Sequence, residues 1–133
     1  MKSRIGLITG CGKGIGLAMM SQFLKNNEYT LLIGITRSSN NNLNLLKEKY
    51  PEKFKLIIND ISKLSTLNKR IEEIYNNYGP LDFSICNAGL RSRSSILNSD
   101  VELYRNILEV NTIANINIAK LLIQQNLKLK KNL

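Results

Sequence analysis

Apolar positions along the chain fall into two alternating patterns. Short unbroken runs read as buried strands: Ile5-Gly6-Leu7-Ile8-Thr9, Leu31 to Thr36, Phe54 to Asn59 and Leu81 to Cys86. Between them, apolar residues recur at helical spacing. Ile15, Ala18, Met19, Gln22 and Phe23 predict a helix reaching Lys25. Leu43, Leu46 and Lys47 predict a short helix that Pro51 ends. Ser62 is placed to cap a third helix carrying Leu64, Leu67, Ile71, Ile74 and Tyr78, and Gly79-Pro80 stops it. Ser99 or Asp100 starts a long final helix with Leu103, Ile107, Val110, Ala114, Ile118 and Leu121 as its apolar stripe. The order is therefore β-α-β-α-β-α-β-α. Unbroken apolar strands, each followed by a helix, imply a parallel sheet covered on both faces. Right-handed crossovers make it a doubly wound α/β layer. Ligands of such sheets lie beyond the carboxyl ends of the strands, where the strand order reverses.

Composition narrows the chemistry more than the fold. The 133 residues suffice for one compact domain and not for two. A chain that is 43% hydrophobic and 22% charged sits near the globular average, which excludes global disorder. There is no His, so imidazole is removed from every catalytic or metal-binding scheme, and no metal site is expected. Cys11 and Cys86 form no C-x-x-C motif, and this usage fits a reducing, cytoplasmic setting. The apolar run after Met1-Lys2-Ser3-Arg4 is too short for a signal segment or a membrane span. The net charge of +9 is scattered, densest at Lys128, Lys130 and Lys131. With 6% aromatics and no Trp to stack bases, nucleic acid is not expected as a partner. Asn26-Asn27 and Asn40-Asn41-Asn42 read as compositional bias expressed in loops.

The first strand runs into Thr9-Gly10-Cys11-Gly12-Lys13-Gly14-Ile15-Gly16, and a helix follows. Glycines allow a tight turn and close approach to a pyrophosphate. The helix N-terminus adds free N–H groups and a positive dipole end. The spacing is not G-x-G-x-x-G, because the third glycine would fall on Ile15, and no Gly-Lys-Ser/Thr makes a P-loop. It is G-x-x-x-G-x-G on Gly10, Gly14 and Gly16. Such a cluster also serves as a plain tight turn, but a strand before and a helix after favour phosphate binding. Three segments accompany it: Asp60-Ile61 after the third strand, Asn87-Ala88-Gly89 closing the fourth, and Glu109-Val110-Asn111-Thr112 in the final helix. In this order and spacing they resemble the short-chain dehydrogenase/reductase family. The resemblance covers essentially the whole chain, but only the N-terminal half of a usual member.

The resemblance implies a Rossmann-type doubly wound parallel sheet of order 3-2-1-4, truncated after the fourth strand and its helix. Residues 1–133 would then be a single, incomplete NAD(P)-binding domain. It implies an oxidoreductase that transfers hydride between the cofactor and a carbonyl or alcohol substrate. Thr9 and Gly10 open the motif, and the backbone of Gly12 to Gly16, with Lys13 and Ile15, would cradle the pyrophosphate. Asp60 would accept from the adenine amino group, with Ile61 giving apolar contact. Ala88 and Gly89 would let backbone pass close to a ribose, and Asn87 would tie neighbouring strand ends together. Asn111 is the one member of the family's catalytic set present, in a supporting role. Asp60 also reads as a carboxylate favoured at a helix N-terminus, a role compatible with adenine binding, and Asn111 as a polar kink.

The end of the second strand, Thr36-Arg37-Ser38-Ser39, has no carboxylate for a ribose 2′-OH. Arg37, with Lys13 nearby, suits a 2′-phosphate, so NADP is expected in preference to NAD. The plain alternative is two surface cations in a basic chain. The family's Tyr-x-x-x-Lys is absent: the residues four after Tyr29, Tyr50, Tyr75, Tyr78 and Tyr104 are Ile33, Phe54, Gly79, Asp82 and Leu108. The isolated chain is therefore expected to be an inactive fragment. Alternatives are a non-catalytic dinucleotide-binding module, or an interaction fragment that pairs with a longer relative through an open fourth strand. The final helix, which pairs subunits in relatives, points to a homo-oligomer.

Overall fold

The computed structural model describes residues 4–131. Met1, Lys2 and Ser3, read above as part of too short a leader, lie outside the described residues, as does the side chain of Lys131. Strands β1 (Ile5–Thr9), β2 (Leu31–Thr36), β3 (Phe54–Ile58) and β4 (Phe83–Cys86) form one parallel sheet in the order β3-β2-β1-β4. This is the doubly wound parallel α/β sheet that the apolar runs imply, in the order 3-2-1-4 that the family resemblance implies.

Helices α1 (Gly14–Lys25) and α2 (Asn41–Lys49) cover one face of the sheet. Helix α3 (Leu64–Tyr78) covers the other, together with a long final segment. That segment comprises α4 (Val101–Leu108), a π-helical turn (Glu109–Ile113) and α5 (Ala114–Lys131). Side chains alternate across the pleat: Ile5 and Leu7 enter the α3/α5 core, and Ile8 enters the α1/α2 core. With helices on both sides, all five residues of β1 are buried, so the strand is apolar throughout. Gly6 and Gly34 make room on the α1/α2 face: the Phe83 ring crosses Gly6, and the Cys11 sulfur packs over Gly34.

Several expected details shift. The buried face of α1 is Gly16, Met20 and Leu24, whereas Ile15, Ala18 and Gln22 are exposed. Gly-Ile-Gly-Leu-Ala-Met-Met is apolar on every side, so its spacing leaves the phase open. Packing of the small Gly16 against the end of β1 settles it. Ser62 does not cap α3. Its backbone N–H and its hydroxyl both donate to Asp60 Oδ1, at 3.0 and 2.8 Å, and the helix starts two residues later. Asn40-Asn41-Asn42 is not a loop: Asn40 caps α2, and Asn41 and Asn42 are its first residues. Of the two candidates for the final helix, Asp100 is the cap, accepting from Leu103 N at 2.8 Å. No helix among the described residues is long and apolar enough to cross a membrane.

Candidate functional site

The carboxyl ends of β1, β2 and β4 open into a cleft of about 820 Å³, within the range of small-molecule and cofactor sites. The strand order reverses there, because β1 is flanked by β2 and β4. Between β1 and α1 the chain turns at two glycines in the left-handed region, Gly10 (φ +68°) and Gly14 (φ +55°). A methyl at Gly14 would meet nothing within 4 Å, so the loop is open at that point. A methyl at Gly16 would collide with the Gly10 carbonyl and the Asn87 amide. The N-terminus of α1 has no side-chain cap and no acidic residue in its first turn. With Gly14 and Ile15 lining the cleft, it presents N–H groups and the positive end of a helix dipole there.

The far wall is held by β4. The Asn87 amide donates to the Thr9 and Gly10 carbonyls at 3.2 and 3.1 Å, and the buried Thr9 hydroxyl accepts from Ala88 N at 3.1 Å. These bonds fix the ends of β1 and β4 together. At the end of β3, partial burial pushes the Asp60 carboxyl upward. Two hydrogen bonds from Ser62 and the charges of Arg37 and Lys63 outweigh it, so the carboxyl lies below its ordinary value. Burial pushes the Cys11 thiol up to about 11, and Cys11 packs as an apolar residue beneath the loop.

Most residues singled out from the motifs meet in this cleft. Gly10, Gly12, Lys13, Gly14 and Ile15 line it from the glycine loop, and Arg37 from the end of β2. Asp60 and Ile61 line it after β3, and Asn87, Ala88 and Gly89 after β4. Thr9 and Gly16 lie behind the lining as supports. Asn111 does not line the cleft: it sits in the π turn, where its amide clasps the backbone of Leu90. Leu90 N donates to Asn111 Oδ1 at 2.7 Å, and Asn111 Nδ2 donates to Leu90 O at 2.8 Å. Leu90 itself lines the cleft. Sequence reasoning missed Ser38, Asn40, Asn59, Lys63 and Asn106, which also line it. For Asn40 a signal existed, an Asn three residues before the first buried position of a helix, but it was masked by the neighbouring asparagines.

The arrangement suits an elongated anion. Free helix amides and Lys13 sit at the middle, Arg37 and Lys63 at one side, apolar Ile61 beside Asp60, and small residues at Ala88 and Gly89. Glycine cradle, uncapped helix and cations together fit a dinucleotide. Among the described residues no group of three or more His, Cys, Asp or Glu side chains is arranged to hold a metal ion. A second cleft, of about 480 Å³, flanks β3 and contains none of the residues singled out from the motifs.

Residues 4–132 match the family model for short chain dehydrogenase. A relative from Ornithobacterium rhinotracheale, NADPH-dependent 3-dehydrocapnine reductase, is 29% identical over 122 residues, covering 90% of this chain and 42% of the relative. The solved structure of L-sorbose reductase from Gluconobacter frateurii, complexed with NADPH and L-sorbose, superposes with a TM-score of 0.80 at 23% identity. It covers 94% of this chain and 48% of that one. 4-Hydroxyisoleucine dehydrogenase complexed with NADH superposes with a TM-score of 0.83 at 21% identity, covering 96% and 52%. The chain spans 42–49% of the length of the first curated relatives it matches.

Proposed function

The chain belongs to the short chain dehydrogenase family, and we propose that it forms the dinucleotide-binding half of an oxidoreductase site that uses NADP(H). The substrate of the whole site would be a carbonyl compound or its alcohol. When bound, the nicotinamide supplies or accepts the hydride. The chain's own residues bind and orient. The amides from Gly12 to Gly16 and the α1 N-terminus hold the pyrophosphate. Asp60 stays ionised and accepts from the adenine amino group while Ile61 packs on the ring. Ala88 and Gly89 admit a ribose beside the backbone. Arg37 and Lys13 neutralise a 2′-phosphate. Asn111 acts through Leu90, holding the wall after β4.

The observation that carries this reading is the uncapped start of α1 opening into a cleft that Lys13 and Arg37 also line. The absence of a carboxylate after β2 supports NADP(H) over NAD(H), and a relative that is NADPH-dependent by name agrees. No Tyr-x-x-x-Lys occurs in the 133 residues. The chain alone therefore offers no paired proton donor, and we expect it to bind cofactor without turnover. The two free thiols support a reducing, cytoplasmic setting.

Calorimetric titration of the full chain tests the reading. NADPH should bind about tenfold or more tighter than NADH, and Arg37→Ala should remove the difference. Equal or tighter binding of NADH rejects the NADP(H) preference. Sustained NADPH oxidation by the purified chain with a carbonyl substrate rejects the non-catalytic part.

A second reading, self-association through the final helix, is favoured by a row of exposed apolar residues. Val101, Leu108, Ile116 and Ile123 are 64%, 60%, 62% and 60% exposed.

A further inference from the structure

We propose that Asn40 is a positioning residue that sets the cleft's selectivity for a 2′-phosphorylated adenosine, by fastening the β2–α2 loop to the glycine loop. The inference rests on the NADP(H) reading above. Asn40 bonds in two directions. Its side-chain oxygen accepts from Leu43 N at 3.0 Å and caps α2. Its side-chain nitrogen donates to the Gly12 carbonyl at 2.7 Å. One short amide thus joins segments 28 residues apart in sequence.

Each segment carries one of the two cations. Lys13 directly follows Gly12, and Arg37 lies three residues before Asn40. Both line the cleft. Neither forms a salt bridge with a carboxylate of the described residues. Within the loop, the Thr36 hydroxyl donates to Ser38 O at 3.4 Å, and the Ser39 hydroxyl donates to Asn44 Oδ1 at 3.0 Å. Arg37 therefore sits in a loop anchored to β2 at one end and to α2 at the other. Asn40 ties that loop to the segment bearing Lys13. Long cationic side chains lose much freedom when they converge on one phosphate. Fixing the two backbone anchors at one separation removes part of that cost in advance. A ligand without the 2′-phosphate does not draw on this convergence.

The test uses 2′,5′-ADP and 5′-AMP as probes, which differ only in the 2′-phosphate. Asn40→Ser keeps a hydroxyl suited to capping α2 but is too short to reach the Gly12 carbonyl. Asn40→Thr provides the same contrast should the serine variant melt below the assay temperature. Dissociation constants are measured for the full chain, Asn40→Ser, Arg37→Ala and the double variant. The wild-type chain should prefer 2′,5′-ADP, and Asn40→Ser should lower the preference about fivefold to tenfold. The double variant should lose little more than Arg37→Ala alone, because both changes act on one phosphate. Equal weakening of both probes, or an unchanged preference, overturns the positioning role. If Arg37→Ala still lowers the preference, the NADP(H) reading survives that result. A wild-type chain that binds 2′,5′-ADP no better than 5′-AMP overturns both.

Discussion

Gly14 and Gly16 belong to one motif, yet a methyl group would act on each for a different reason. Gly14 has φ +55° and open space around it, so alanine there meets only the strain of the left-handed backbone, about 1–2 kcal/mol. Gly16 has no such backbone constraint, but its methyl would enter the space of the Gly10 carbonyl and the Asn87 amide. That overlap forces apart the bonds joining β1 to β4 and costs about 3 kcal/mol or more. Urea denaturation should therefore show Gly16→Ala losing clearly more stability than Gly14→Ala. Equal losses, or the reverse order, would mean that the ends of β1 and β4 are not packed as described. The spacing G-x-x-x-G-x-G predicts the turn. It does not say which glycine serves conformation and which serves close packing, since that depends on Asn87, seventy-one positions further along.

The π turn shows the same limit at the level of an element. Glu109-Val110-Asn111-Thr112-Ile113 continues the helical spacing on either side; Asn111 reads as a polar kink, but nothing local specifies a π turn. Its physical partner is distant: the Asn111 amide takes both backbone hydrogen bonds of Leu90. Such turns insert one residue into a helix. Leu108 and Ile116 are accordingly eight residues apart in an exposed row whose other steps, from Val101 to Leu108 and from Ile116 to Ile123, are seven. Asn111→Ala should remove both bonds to Leu90, which are solvent-exposed, at a cost of about 0.5–1.5 kcal/mol each. Amide exchange at Leu90 should accelerate well beyond the change at Ile71 in the α3 core. Uniform acceleration at both would assign Asn111 a global role instead. By contrast, the four strands were legible, because unbroken apolar runs suit strands buried on both faces, and their order followed from the family resemblance of the motifs rather than from the runs. The cleft was legible where a motif names a residue, from Gly10 to Gly16, at Asp60-Ile61 and at Asn87 to Gly89. It was illegible at Asn40 and Ser62, where the outcome depends on which of several polar side chains takes a free N–H. At Ser62 the Asp60 carboxylate took it, and at α2 the first Asn of three did.

On the scale of the whole molecule, a net charge of +9 opposes the exposed row on the final helix. Burying Val101, Leu108, Ile116 and Ile123 against a second copy would release apolar surface from water. It would also bring two strongly cationic bodies together, with Lys120 exposed between Ile116 and Ile123. Salt separates the two effects. At about 0.05 M, charges on the two copies still repel over more than 10 Å, and at about 0.5 M that range falls to a few ångströms. Apolar burial does not weaken over this interval. Association through the row should therefore strengthen with salt, read as a rising dimer fraction in sedimentation equilibrium. The paired variant Ile116→Glu with Ile123→Glu should abolish it. A dimer fraction that falls with salt would mean that ion pairs hold the copies together. A dimer indifferent to the paired variant would shift the contact to β4, which hydrogen-bonds only β1 among the described strands and leaves its other edge to pair.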